Sequence, residues 1–540
     1  MTDKPIFRVK AGDATGASAR MSATAAEWPR TSYAAADTSS QSMWGWYPSL
    51  RSADAEWLNE RDTSTARIRD LERNEGWASA GMDRQVDMMV GGALRLNSKP
   101  DAKILGITTD AAHELGQTIQ SAFNAWASDH LFRCDIERQL PFAGLAAMAA
   151  REFVTIGEAC AVMRWYPRSG WKYATAVNMV DPDRLSNPDG QPDSSTMRRG
   201  IEQHSVTHEP VAYHLRRAHP SDLLNMEGEN YIWDRIPRWD RDGDWERPKF
   251  LHIYDKRRPG QSHGVSRLVG SLVKLRMLSR YSESEVKTAA INATIVGAIY
   301  TQLGAEYAAE RLGDDSGRAN WETFTEDRAN FYEKSRRVMD DARFVTLFPT
   351  DKLDLNTQPR QTAGYPQFQT AFLQAFAASL GISYEQLSMD WSRTNYSSAR
   401  AALNEVWRSV TRLRAILIWG FAMPIFAAWL EEALDLGEIQ VPAKAPEFRD
   451  EPYAWLRSDW IGPGRGYIDP VKEAQASQLR IDSQLSTLER EAAEQGQDWE
   501  IVLEQLSREK RERERLGLLN GSTDLSIVPR TDAEDKRASD

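Results

Sequence analysis

The feature that most constrains the fold lies in the middle of the chain. Two apolar helical stretches, about Val265 to Ala290 and about Pro366 to Leu380, flank a polar insert at 296–358. Val265, Leu268, Leu272 and Leu275 mark the apolar stripe of the first stretch. About 25 residues of helix make a rod of about 37 Å at 1.5 Å per residue. That is long for a compact enzyme domain and suits a spanning strut. The insert is mixed in charge, breaks at Gly313-Asp314-Asp315-Ser316-Gly317, and holds one strand-like run, Arg343 to Phe348. Helix, small insert, helix predicts two rods carrying a tip.

At 540 residues the chain is too long for one simple core, so two to four domains or subdomains are expected. A hydrophobic content of 41%, with 19 Trp and 16 Phe, is ample for burial. The net charge of −11 argues against a static grip on nucleic-acid phosphates. It leaves open an acidic surface along which DNA slides. Only Cys134 and Cys160 are present, which excludes a disulfide framework and a four-thiolate zinc site. Two buried thiols are expected. No His-Glu-x-x-His occurs. His204 and His208 have helical metal spacing but lie in a Pro- and Gly-rich β region, which favours a loop. Neither a metal nor another cofactor is expected. Residues 1–20 lack the apolar core of a secretory signal. The apolar run Ala415 to Leu430 is shorter than the roughly 20 residues that span a bilayer. With Gly420 and Pro424 inside it, a kinked buried helix and no membrane span are expected.

The first 52 residues read as a flexible arm bearing an aromatic knot, Met43-Trp44-Gly45-Trp46-Tyr47-Pro48. Docking on a neighbour and packing on its own domain both remain open for it. Ala53 to Val90 is helical and charged, with Arg61, Arg67, Arg69 and Arg73 interleaved by Asp62, Asp70 and Glu72. A solvated, ion-paired face is expected there, ended by Gly91-Gly92. Further helices are predicted over about Thr109 to Ala127 and about Ile136 to Phe153. Ala159 to Tyr166, Val211 to Leu215 and Phe250 to Tyr254 read as strands. Asp181 and Asp183 flank Pro182 and suit a turn better than an acid pair. Gly462-Pro463-Gly464-Arg465-Gly466 lacks the Lys-Ser/Thr and the preceding buried strand of a phosphate loop. Asp469-Pro470 starts a helix that runs to Gly496, with Ile481, Leu485, Leu488 and Ala492 on one face. Asp498 caps the last helix, where Trp499, Val502, Leu503 and Leu506 repeat the stripe.

The richest run is Gly381-Ile382-Ser383-Tyr384-Glu385-Gln386-Leu387-Ser388, continuing through Asp390 and Arg393 to Asn395-Tyr396-Ser397-Ser398-Ala399-Arg400 and Leu403. Ser383 with Gln386 fits a capping box, and Ser397 or Ser398 is expected to cap the long helix that follows. Between them, Met389 to Tyr396 presents Asp390, Arg393, Asn395 and Tyr396 at one place. The run holds no nucleophile–base pair and no metal-ligand spacing.

This run resembles the lambda-type family of phage portal proteins. Arg73-Asn74, Arg258-Pro259-Gly260-Gln261 with His263-Gly264-Val265, and Gly464-Arg465-Gly466-Tyr467-Ile468-Asp469-Pro470 before Lys472-Glu473-Ala474 carry the resemblance too. It extends over about residues 30–518. Gly91-Gly92-Ala93 departs from the expected glycine, spacer, glycine. The resemblance implies an α+β, mainly α, fold of wing, stem, clip and crown, with long stem helices and a small β-containing clip. The wing would take 53–262, the first stem helix 263–295, the clip 296–360, and the second stem helix and wing return 361–388. A tunnel loop would follow at 389–398, wing and crown helices at 399–452, crown helices at 467–518, and a disordered tail at 519–540. It implies a ring, of twelve subunits in similar proteins, at one capsid vertex. Its partners would be double-stranded DNA, terminase, major capsid and scaffolding proteins, and head-completion or connector proteins. No membrane, enzyme activity or cofactor is implied. Asp390, Arg393, Asn395, Tyr396 and Ser397 would face DNA. The virion, and the host cytoplasm during assembly, would be its locations. A head scaffold or adaptor that never touches DNA, and a metal-dependent nuclease with convergent carboxylates, are the alternatives.

Overall fold

The computed structural model describes residues 34–36, 41–222, 228–242, 245–294, 298–301, 326–327, 329–331, 333, 351–354, 365–392, 394–443, 445–466 and 469–518, with the main chain alone at 242, 288, 290–294, 298–301, 351–354 and 396. Two compact units divide the chain, Met1–Ser52 and Ala53–Asp540. In the first, a turn brings the Trp46 N–H to the Met43 carbonyl at 3.1 Å, and Trp44, Trp46 and Tyr47 are exposed.

The second unit opens with helices α1 (Ala53–Trp57), α2 (Arg61–Asn74) and α3 (Gly76–Met89), followed by strand β1 (Arg95–Ser98) and helices α4 (Thr109–Ala127) and α5 (Phe142–Thr155). Gly91, at φ +55°, lies just beyond α3 as expected. The Thr108 hydroxyl accepts from Ala111 N–H and starts α4, whose Ala112, Leu115, Ile119, Phe123 and Trp126 are buried at helical spacing. The α5 helix begins six residues later than the sequence suggests (Phe142 against Ile136). The Asp135 carboxylate accepts from the N–H groups of Glu137, Gln139 and Leu140, which holds that stretch as a loop up to Pro141.

The strands β2 (Glu158–Trp165), β3 (Thr175–Val180) and β10 (Phe250–Tyr254) form an antiparallel sheet in the order β10-β2-β3. Between them in sequence, β4 (Met197–Arg198), β5 (Ile201–Gln203), β6 (Pro210–Arg216) and β7 (Trp233–Pro237) make a four-stranded sheet, and β8 (Trp239–Asp242) pairs β9 (Trp245–Pro248). The β2 strand is buried on both faces. Ala159, Ala161 and Met163 join the main core, whereas Cys160 and Val162 join a smaller one with Tyr213 and Phe250. Continuous apolarity rather than alternation is what such a strand requires.

The main core is aromatic. Phe123 meets Trp429, Phe142 and Phe426 at ring-centroid distances of 5.2, 5.5 and 5.5 Å, all edge-on, the geometry that ring quadrupoles favour.

The predicted pair of rods is present. Helix α6 (Leu272–Thr294) runs against α7 (Tyr365–Leu380). Ser379 Oγ donates to Ser271 Oγ at 2.9 Å near one end, and Ser282 Oγ lies 2.7 Å from Tyr365 Oη further along, so the two are antiparallel. The α6 helix starts later than Val265, because Ser266 caps a 3₁₀ turn, Arg267–Gly270, ahead of it. Its 23 residues give about 35 Å. Beyond α6, β11 (Ala298–Thr301) pairs antiparallel with β12 (Asp351–Asp354). The strand expected over Arg343–Phe348, and most of the insert, lie outside the described residues.

After α7 come α8 (Tyr384–Ser388) and α9 (Tyr396–Leu417). The kink expected near Gly420 is a π turn, Ile418–Ala422, leading into α10 (Met423–Asp435). Pro424 has no N–H for the Gly420 carbonyl, and the wider register accommodates that loss. By length and hydropathy Ser397–Asp435 would pass as a membrane span, but 56% of its apolar window is buried in this fold. Helix α11 (Pro452–Leu456) then leads to β13 (Ser458–Ile461), which pairs antiparallel with β1.

The C-terminal block comprises α12 (Pro470–Asp482), α13 (Leu488–Glu494) and α14 (Trp499–Arg515). Asp469 caps α12 and Asp498 caps α14, as expected. The single helix expected up to Gly496 is instead two. Gln484 turns left-handed at φ +58° and Thr487 caps a new start.

Candidate functional site

The stretch between α8 and α9 is a short loop between two capped helix ends. Ser383 Oγ accepts from Gln386 N–H at 3.2 Å, and the Gln386 side chain accepts from Ser383 N–H at 3.0 Å, which completes the expected capping box. Met389 ends α8 in the left-handed conformation at φ +57°. Asp390 Oδ1 accepts from Ser392 N–H at 3.0 Å, and Thr394 N–H donates to the Trp391 carbonyl at 3.2 Å. Asn395 Oδ1 accepts from Ser398 N–H at 2.9 Å, so Asn395, not Ser397 or Ser398, caps α9.

Asp390, Asn395 and Ser397 are exposed and lie within eight residues of one another at this junction. Tyr396 is the first residue of α9. Arg393 lies outside the described residues. The side-chain oxygens of Asp390 and Asn395 that hold the turn and the cap define the loop's shape as well as its polarity. Trp391, 38% exposed, stands among them and was not singled out by the sequence reading. A large aromatic beside Asp and Arg in a loop was the available signal.

Behind the loop, α9 is tied to the chain entering α6. The Asp255 carboxylate accepts from Arg412 at 3.1 and 3.2 Å and from Arg257 Nε at 3.2 Å. Burial raises the Asp255 pKa, but hydrogen bonds from Arg412 and Arg257 outweigh that and hold it below the ordinary range. Gly381, at φ +77°, ends α7 where an added Cβ would meet Ser409 Oγ at 3.2 Å.

Deeper in the same region lies a buried polar node that sequence reasoning missed. Glu158 is 1% exposed. Its Oε1 accepts from Arg61 Nε at 3.0 Å and Arg61 Nη2 at 2.6 Å. Its Oε2 accepts from Gly264 N–H at 2.7 Å and lies 3.0 Å from His252 Nε2 and 3.1 Å from His263 Nδ1. Arg61 Nη2 also donates to the Pro182 carbonyl at 3.0 Å. Burial alone would raise the Glu158 pKa. His263 and Arg61 oppose it, and the carboxyl is held well below its usual range. Burial depresses the His252 pKa. The node therefore joins α2, β2, β10 and the segment that leads into α6. Gly157 and Gly264 pass so closely that a Cβ on Gly264 would lie 2.6 Å from the Gly157 carbonyl carbon.

Glu158, His252 and His263 place three possible metal-ligand atoms within 4.8 Å. The carboxylate is already saturated by the Arg61 fork and Gly264 N–H, so the set works as an ion-pair node. Asp181, Asp183 and His219 form a second such set. Arg69 fills it, with Nη2 3.1 Å from Asp181 and Nε 3.0 Å from Asp183, and Asp181 caps the turn as expected of a loop. His204 and His208 share a turn in which His204 Nδ1 accepts from Val206 N–H at 3.3 Å. Cys134 and Cys160 are buried free thiols, and burial pushes Cys134 up to about 12.

Comparison with known proteins agrees with this layout. The profile of the phage portal protein, lambda family, matches residues 39–414. The portal protein of Escherichia phage N15 is 30% identical over 478 residues, covering 88% of each chain. Portal protein B of Escherichia phage lambda is 30% identical over 477 residues, again 88% of each. A chain from the neck of an empty gene-transfer-agent particle superposes with a TM-score of 0.44 at 14% identity, covering 79% of this chain and 92% of that one. The extent of the profile match and the two 30%-identical relatives place this chain in the lambda family of phage portal proteins.

Proposed function

We propose that copies of this chain close into a ring, with twelve the expected number, at one vertex of a phage capsid. Double-stranded DNA would pass through the ring during packaging and ejection. The observation that carries this reading is the short loop between α8 and α9, which leaves Asp390, Trp391, Asn395 and Ser397 exposed at the start of a long helix. Shallow polar contacts of this kind suit a moving polyanion better than deep base readout does. The helix pair supports ring formation. Val273, Met277 and Tyr281 recur every four residues along α6 and are exposed, and Phe368 of α7 lies 4.9 Å from Tyr281. An apolar stripe on a rod is covered when an identical neighbour packs head to tail.

In this reading the wing takes 53–262, the first stem helix 263–295, the clip 296–360, the second stem helix with wing return 361–388, the tunnel loop 389–398 and the crown 467–518. Terminase and then head-completion proteins would dock at the clip, and capsid and scaffolding proteins would surround the wing. The chain would act mechanically rather than as an enzyme, first in the host cytoplasm and then in the virion. Negative-stain images of the purified oligomer should show a ring with a central hole. Charge reversal at Arg393 should impair packaging or DNA retention with ring assembly intact. Normal packaging by that variant would remove the tunnel-loop assignment, and a solid particle would remove the ring.

A further inference from the structure

The glycine-rich segment Gly462-Pro463-Gly464-Arg465-Gly466 is no phosphate loop, yet it is built around a cation. Arg414, on α9, is 9% exposed and has no carboxylate partner among the described residues. Its guanidinium donates only to main chain: Nε to the Met89 carbonyl at 2.9 Å, and Nη2 to the Met88 carbonyl at 2.7 Å and the Pro463 carbonyl at 3.2 Å. Met88 and Met89 close α3, where unsatisfied carbonyls and the negative end of the helix dipole favour a cation. Trp407, two turns earlier on α9, lies over the guanidinium at 5.0 Å. Burial depresses the Arg414 pKa to about 10, which leaves it charged at neutral pH.

The surroundings are shaped to admit this side chain. A Cβ on Gly462 would lie 2.6 Å from Arg414 Cζ. One on Gly91 would lie 2.9 Å from Pro463 Cβ, one on Gly464 2.6 Å from the Gln495 carbonyl carbon, and one on Gly496 2.8 Å from Gly464 N. The end of α3, the body of α9, the 462–466 segment and the α13–α14 turn thus meet through main chain, with Arg414 in the middle.

We propose that Arg414 is the positioning residue that fastens the C-terminal helices α12–α14 to the body, through a glycine-lined cradle at 462–464. Other attachments of that block to the body are polar too, among them the Lys99 ammonium paired with Glu489 and His113 Nδ1 3.4 Å from Glu500. Asn97 Nδ2 donates to Glu489 at 3.2 Å, Gln120 donates to Asp498 at 2.8 Å and Gln117 donates to Glu500 at 3.0 Å. Such contacts hold weakly when partly exposed. Two of the Arg414 bonds anchor the guanidinium to the end of α3, and the third, to the Pro463 carbonyl, reaches the segment that leads into the block, so the tie is charge-assisted and seated on the body. Because Arg414 belongs to the helix whose first turn closes the 389–395 loop, the same residue links the stance of the C-terminal block to the helix that bears the loop.

The test uses the full-length protein and hydrogen exchange. Arg414→Met should raise exchange over 462–466 and 470–515 by about tenfold or more, since charge-assisted hydrogen bonds to main chain are lost, while the aromatic core keeps its protection. Arg414→Lys, with one donor group in place of a fork, should fall between. Gly462→Ala should act in the same direction with the arginine present, because its Cβ displaces the guanidinium. In Arg414→Ala/Gly462→Ala the clash has no target, so the combined effect should be less than the sum of those of Arg414→Ala and Gly462→Ala measured singly. Additive effects would overturn the cradle. A uniform rise in exchange along the whole chain would make Arg414 a general core brace and overturn the assignment. If Arg414→Met fails to fold, Gly462→Ala alone still decides, because unchanged exchange over 470–515 in that variant would also overturn it.

Discussion

Two buried regions of the second unit are held by opposite physics. Around Phe123, the rings of Trp429, Phe142 and Phe426 pack edge-on. Around Glu158, one carboxylate collects a guanidinium, two imidazoles and a backbone N–H in a space equally closed to water. The first is a sum of many weak contacts and degrades by degrees when trimmed. The second is a set of mutual obligations. Removing one member leaves another charged or polar and buried, so it fails abruptly. The difference also divides labour: the aromatic core holds helices to one another, whereas the node orients the segment from which α6 departs.

The sharpest way to break the contrast is Glu158→Gln, which keeps the shape and removes the charge. Arg61 is then buried without compensation, and a loss of about 3–5 kcal/mol is expected in chemical denaturation. A loss under about 1 kcal/mol, the value of an exposed pair, would show that the node tolerates trimming as the core does. Phe123→Leu in the aromatic core should cost less, about 1–1.5 kcal/mol.

The pH dependence separates the two regions further. The pKa of His252 is depressed by burial, so the unfolded chain takes up that proton first. Stability from this group is complete above the ordinary histidine range and declines as pH falls through about 6.5. The Glu158 carboxyl, held well below its usual range, adds its own loss at still lower pH, below about 4.5. Thermal melts of the wild type from pH 7.5 to pH 5 should therefore decline. In His252→Gln the part of that decline due to this imidazole should vanish, while Phe123→Leu should keep it. Smallest of all, Gln120→Ala, at the polar seam with Asp498, should change stability by less than about 1 kcal/mol in the same melts.

What the sequence made legible was local. The capping box at Ser383 and Gln386, the helix α4 and its exact ends, and the caps at Asp469 and Asp498 all depend on residues within a turn of each other. The paired rods followed from one long stripe and its return. Errors came where one side chain redirected the main chain. Asp135 gathered three N–H groups and delayed α5, Ser266 inserted a 3₁₀ turn before α6, and Asn395 took the cap assigned to the serines after it. The largest omissions were long-range. Arg61 and Glu158 lie 97 residues apart, Glu158 and His263 lie 105 apart, and β1 finds β13 from the far end of the unit. No periodicity announces such pairings. Arg61 was read as part of a solvated face because acids interleave with it, but the helix buries that one arginine. Of the loop, Asp390, Asn395 and Ser397 are exposed, and Trp391 was passed over.

The caps on either side of the loop have a mechanical consequence. Ser383 with Gln386 secures the start of the helix before it, and Asn395 secures the start of the one after, so the helices that flank the loop are fixed. In the proposed channel, a load pressing on that bump would pass into the two helices that flank it, so the loop would act as a cam follower, riding over an uneven thread only as far as its helices yield.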